Sequence, residues 1–158
     1  MANFQLVQHN REMYGQEADS WMPAPAEARD VLRKIIRAKE AGRPVLFTAR
    51  SYRHTLAWPD HSEERTERSG ESSPCMAGRY FVEIEPNGDV YPCVLHMGAF
   101  EPKNALRDGA ESAWKHASQH ACFDCYNTWL NENKAIFRLA PDVVVNFCRN
   151  YMRPRTRA

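Results

Sequence analysis

Apolar residues recur every three to four positions from Ala26 to Ala41. Ala28, Val31, Leu32, Ile35 and Ile36 share one face of that stretch and the charges lie opposite, which predicts an amphipathic helix. Pro25 suits the first turn, where a missing N–H costs nothing, and Gly42 suits the position just past the end. The short run Val45-Leu46-Phe47-Thr48-Ala49 then predicts a buried strand. Helix, link and strand together predict an α-then-β unit, as in parallel α/β folds. One such unit leaves a face for something else to cover. Tyr52, Arg53 and His54 follow the strand end, where α/β folds place ligand-binding loops; a plain surface loop is the alternative.

At Arg79 the period changes to two. Tyr80, Val82 and Ile84 fall on one face, and Phe81, Glu83 and Glu85 on the other. Asn87-Gly88 predicts a two-residue hairpin turn, because both central positions favour positive φ. Val90-Tyr91 begins the return strand, and in that register Cys93 lies opposite Val82. Residues 103–119 predict a turn and a helix, with Asp108 as N-cap, Glu111 three residues on, and Leu106, Ala110, Ala113, Trp114 and Ala117 as the buried stripe. Thr128 to Leu139 predicts a further helix with Trp129, Leu130, Ile136 and Phe137 apolar, broken by Pro141. A last helix from Asp142 to Met152 carries Val143, Val144, Phe147, Cys148 and Tyr151. Phe4, Leu6 and Val7 alternate too briefly to define an element.

Residues 59–74 hold no large apolar side chain and read as a linker or mobile loop, its charge run a solvated tether rather than a docking surface. The basic residues from Arg153 to Ala158 read as a frayed tail. The chain therefore divides into 1–58, a linker at 59–74, a second domain at 75–152 and a tail at 153–158. Formal charge is +1, which gives no electrostatic case for nucleic acid or membrane. No apolar run has the length of a membrane span, and Met1-Ala2-Asn3-Phe4-Gln5 lacks a basic stretch leading into an apolar core, so no signal peptide is expected. A cytoplasmic, reducing location follows as the expectation, and there clustered cysteines favour metal binding over disulfides.

Four of the five cysteines are clustered: Cys75, Cys93, Cys122 and Cys125. Cys122-x2-Cys125 places two thiolates on one tight turn; alone this is weak, since redox dithiols share it. Cys75 and Cys93, with 17 residues between them around the hairpin, supply the second pair. Four thiolates suit zinc or an iron–sulfur cluster, and the spacing by itself leaves both open. Gly78 permits the bend that would carry Cys75 over the hairpin end. Cys148 sits in an apolar helix pattern and reads as a core thiol; a substitute ligand is the alternative. His96, His116 and His120 flank the cysteines in sequence and read as surface or supporting residues, although histidine replaces cysteine in some clusters.

The pattern Cys75-x12-Gly88-x4-Cys93, followed by Cys122-x2-Cys125, resembles the SPASM/Twitch family of C-terminal domains in radical S-adenosylmethionine (SAM) enzymes. Pro86-Asn87-Gly88-Asp89-Val90-Tyr91-Pro92-Cys93 is similar to the family's hairpin, and Lys103-Asn104-Ala105-Leu106 with Trp114 to its following turn and helix. A full SPASM domain continues with further cysteines and holds two auxiliary clusters. Here none follows until Cys148, so the resemblance is to the shorter Twitch version. It implies one 4Fe–4S cluster held by Cys75, Cys93, Cys122 and Cys125, with a structural four-cysteine Zn²⁺ module as the alternative. Upstream, the helix from Ala26 with Gly42-Arg43-Pro44-Val45-Leu46-Phe47 resembles the last α/β unit of a radical SAM partial barrel. No cysteine precedes Cys75, so the Cys-x3-Cys-x2-Cys that binds the catalytic cluster and SAM is missing. The implied fold is α+β: a terminal α/β unit of a partial barrel at 1–58, then a small Twitch-like domain of hairpin and helices around a cluster. The implied role is electron transfer or substrate positioning within a radical SAM enzyme, without catalytic competence alone. Its partner would be the catalytic barrel, as a missing part or a separate chain, with a peptide or small-molecule substrate. SAM itself would bind only the full-length parent.

Overall fold

The computed structural model describes residues 2–4, 15, 18–21, 23–61, 65–66, 75–120, 122 and 124–151. Helices and short antiparallel strands mix in it, and the class is α+β. No helix among the described residues is long and apolar enough to cross a membrane. Contacts group Met1–Leu6, Pro23–His61 and Tyr126–Ala158 into one compact unit, and Val7–Met22 with Ser62–Cys125 into another.

In the first unit, helix α1 spans Pro25–Glu40, with proline in its first turn. Its buried stripe is Ala28, Leu32 and Ile36, strictly four residues apart, while Val31 is left 45% exposed. The expected strand at 45–49 does not form. Val45 makes one isolated parallel bridge, to Ala2, and the chain then turns. Thr48 caps a second helix, α2 at Ala49–Ala57, its hydroxyl accepting from the Ser51 amide. Tyr52, Arg53 and His54 therefore lie on a helix rather than in a loop beyond a strand. Tyr52 is fully buried and packs with Leu32, Ile36, Val45 and Phe47.

Helix α4 of this unit runs over Thr128–Phe137 and α5 over Pro141–Tyr151; α3 belongs to the second unit and spans Ala110–Ser118. Asn127 caps α4 by accepting from the Leu130 amide at 3.0 Å. Pro141 opens α5, where its fixed φ is tolerated, and Leu139 at φ 54° makes the turn between the two helices. α4 packs on α2, and α5 on α4. By contact, then, the two C-terminal helices belong with α1 and α2, and not with the cysteine-bearing hairpin as the division at 59–74 predicts. Leu130 and Val143 face inward, whereas Trp129, Phe137 and Phe147 are exposed.

In the second unit, strands β2 (Glu83–Ile84), β3 (Asp89–Tyr91) and β4 (Lys103–Asn104) form an antiparallel sheet with β3 central. α3 packs on β3 and β4 through a core of Val90, Ala113 and Ala117. Gly109 precedes α3, and Asp108 does not cap it; the Asp108 carboxylate accepts the Asn104 amide instead. Leu106 and Trp114, expected inside, are exposed, and the core on this side is made by Ala113 and Ala117 against Val90.

The stretch 59–74 is not uniformly loose. His61 is buried, its Nε2 within 2.8 Å of the Thr55 carbonyl oxygen and its ring against Tyr126 at 5.4 Å. Strand β1, Arg65–Thr66, pairs with strand β5, Asp124–Cys125. The rest of that linker assignment, 62–64 and 67–74, and the tail at 153–158 lie outside the described residues.

Candidate metal centre

The hairpin that presents Cys93 closes differently from a two-residue turn. Glu83 pairs with Tyr91 and Ile84 with Val90, so Pro86, Asn87 and Gly88 form a three-residue loop. The Gly88 amide donates to the Glu85 carbonyl at 2.8 Å, and only Gly88 takes positive φ, 92°. Continued along the strands, this register sets Cys93 opposite Phe81, one residue from the expected Val82. The Asn104 side chain fixes the loop. Its Nδ2 donates to the Asn87 carbonyl at 2.8 Å and to Asp89 Oδ1 at 2.9 Å, and its Oδ1 accepts from the amides of Leu106 and Arg107. A Cβ on Gly88 would stand 2.9 Å from that Asn104 oxygen, so the glycine also makes room for the asparagine.

After β3 the chain passes Pro92 and Cys93 into a 3₁₀ turn, Val94–His96, whose last amide returns to the Cys93 carbonyl at 3.0 Å. Cys75 arrives from the other side through Gly78, at φ 79°. The Gly78 amide lies 2.8 Å from the Phe81 carbonyl oxygen and 3.1 Å from that of Pro92, which ties the Cys75 segment to the residue before Cys93. The Cys75 amide donates to the Cys122 carbonyl at 2.8 Å. Cys125 is buried on β5, opposite Arg65 of β1.

Cys122 lies among the other three. Its side chain is hydrogen-bonded to that of Cys75, which together with burial and with the nearby charge of Cys75, Cys125 and Cys93 thiolates pushes the Cys122 thiol far above its ordinary value. None of the five cysteines is in a disulfide. Among the described residues, no three His, Cys, Asp or Glu side chains are arranged to hold a metal ion. The thiols are thus neighbours without converging on one point.

No family model, curated protein or solved structure matches this chain.

Cys148, expected in the core, is exposed on α5. The three flanking histidines gather instead. His96 and His120 rings meet at 4.1 Å, and Phe100 lies 5.1 Å from His116 and 5.4 Å from His120. Spacing from the cysteines marked these histidines as neighbours; nothing in the sequence marked Phe100, or Asn104 as the residue that holds the turn.

Proposed function

We propose that Cys75, Cys93, Cys122 and Cys125 hold one 4Fe–4S cluster, and that the chain serves a radical SAM enzyme as an auxiliary cluster domain of the Twitch kind. The observation that carries this is the grouping of Cys75, Cys93 and Cys125 about the Cys122 thiol. The donor set suits such a group in one respect. Negative charge accumulates as the thiols ionise side by side, and a polycationic centre relieves it. Four thiolates serve zinc as well as a cluster, and the sequence resemblance is what favours the cluster.

Bound there, a cluster supplies a one-electron centre. The chain's own residues do the rest. Asn104 and Gly88 hold the hairpin that carries Cys93, and Gly78 bends Cys75 toward Cys122. The β1–β5 pair secures Cys125. Electron transfer or substrate positioning for a catalytic barrel, acting on a peptide or small molecule, is the role the sequence resemblance brings.

Anaerobic purification tests this. The expected result is a brown protein that bleaches with reductant and carries about four irons and four sulfides per chain. A colourless protein with one zinc per chain would replace the cluster by a structural site.

A further inference from the structure

We propose that the His96–His120 ring pair is a clamp that fixes Cys93 against Cys122, which makes both histidines positioning residues of the cysteine site; the function of this clamp, though not its geometry, rests on the metal assignment above. Cys93 and Cys122 are separated by 28 residues and come from different elements, one following β3 and the other following α3. Each is close in sequence to one ring of the pair. His96 ends the 3₁₀ turn that begins at Cys93, and its own amide is bonded to the Cys93 carbonyl. His120 lies two residues before Cys122 and donates its amide to Ala117, in the last turn of α3, at 3.2 Å.

The ring contact is tight and directional. The centroids are 4.1 Å apart, the planes cross at 70°, and His96 is only 2% exposed. Edge-to-face rings have a preferred separation and angle, so the pair resists sliding as well as parting. A third ring backs it: Phe100 meets His120 edge-on at 75°, and its amide donates to the His96 carbonyl at 2.9 Å. Both histidines are therefore held by backbone bonds on their own segments, and the rings convert those two anchors into a fixed separation. Displacing either ring loosens Cys93 relative to Cys122, leaving the backbone route from Pro92 through Gly78 and Cys75 to Cys122, while Cys75, bonded through its backbone to Cys122, and Cys125, held on β5, stay in place.

Two readouts on His96→Ala, His120→Ala and the ring-preserving His96→Phe and His120→Phe decide the matter. In the metal-free chain, iodoacetamide labelling mapped by mass spectrometry should speed at least tenfold at Cys93 in both alanine variants, with Cys125 unchanged, and stay within threefold of wild type in the phenylalanine variants. After anaerobic loading with iron and sulfide, release of iron to a chelator should quicken tenfold or more in the alanine variants only. Equal acceleration at Cys93 and Cys125 would signal general loosening and overturn the clamp. Phenylalanine variants as impaired as alanine would also overturn it, since the nitrogen and not the ring would then matter. If wild type takes up no iron but the labelling pattern holds, the metal assignment fails and the clamp stands; if wild type loads and the alanine variants behave like it in both readouts, the clamp alone fails.

Discussion

The Glu132 carboxylate receives the Thr48 backbone N–H at 3.1 Å and the Thr48 hydroxyl at 2.7 Å, across 84 residues of sequence. Ser51 adds its hydroxyl at 2.6 Å. The carboxylate thus sits at the N-terminus of α2, where unpaired amides and the helix dipole favour negative charge. Glu132 is buried, so Glu132→Ala would strand three donors; a loss of about 3 kcal/mol in urea unfolding is expected. Glu132→Gln keeps an acceptor and should lose about half as much. An alanine variant as stable as wild type would show that water satisfies the cap.

Gly78→Ala should be severely destabilising. Its φ of 79° disfavours any side chain, and a Cβ there would lie 2.6 Å from the Ala117 carbonyl oxygen, which belongs to the backbone of α3. Backbone yields less readily than a side-chain tip, so a cost of about 3 kcal/mol is expected from strain and displacement. Gly42→Ala is the control: positive φ again, but nothing within 4 Å of the new carbon, and a cost of about 1 kcal/mol. Thermal unfolding of the pair would separate the clash from the conformational term.

Cys93→Ser should lose the cluster or hold it only briefly, whereas Cys148→Ser should retain wild-type iron. Cys148 is exposed on α5 and Cys93 is buried beside the Cys75 segment. Iron per chain after anaerobic desalting is the measurement. Equal losses in both variants would make Cys148 a ligand.

The Arg50 side chain donates to Asp142 at 2.8 Å and holds its carboxyl below the ordinary value of 3.8, the hydrogen bond first and then the charge overcoming the opposing effect of burial. A depressed carboxyl stabilises the fold above the unfolded value, and that contribution disappears as pH falls through the folded value. Both side chains are largely in solvent, so the gain is about 0.5 kcal/mol and screened by salt. In Arg50→Gln, an NMR titration of Asp142 should move back up toward 3.8. No movement would assign the depression to the α5 N-terminus alone.

How much of this was legible before folding differs by element. α1 was, because Ala28, Leu32 and Ile36 recur at helical spacing between a proline and a glycine. The hairpin was legible in kind but not in register. Pro86 joins Asn87 and Gly88 in the loop, and the one-residue slip moves Cys93 from Val82 to Phe81. The apolar run at 45–49 suggested a strand, yet Thr48 is better used as a helix cap, and its partner Glu132 is too distant for any local pattern to show. In α5 the mixture of valines, Phe147 and Cys148 concealed which face is inner. Val143 is, and Cys148, five residues on, stands about 140° around the axis from it. Spacing suggested four thiols meeting at one centre; the structure joins Cys75 to Cys122 by hydrogen bonds and leaves Cys93 and Cys125 as neighbours, and the identity of what they bind is not written in spacing, because zinc and iron–sulfur clusters accept the same thiolates.

His61 and Tyr126 meet edge to face, and the chain between them opens and shuts on the paired β1 and β5 strands. The residues that flank segment 62–125 are accordingly held together by this ring contact, and strands near its two ends by their pairing. A short bridge from His61 to Tyr126 could replace all of it without lengthening the path of the chain that remains. The cysteines would travel as a set, because all four lie inside the parenthesis.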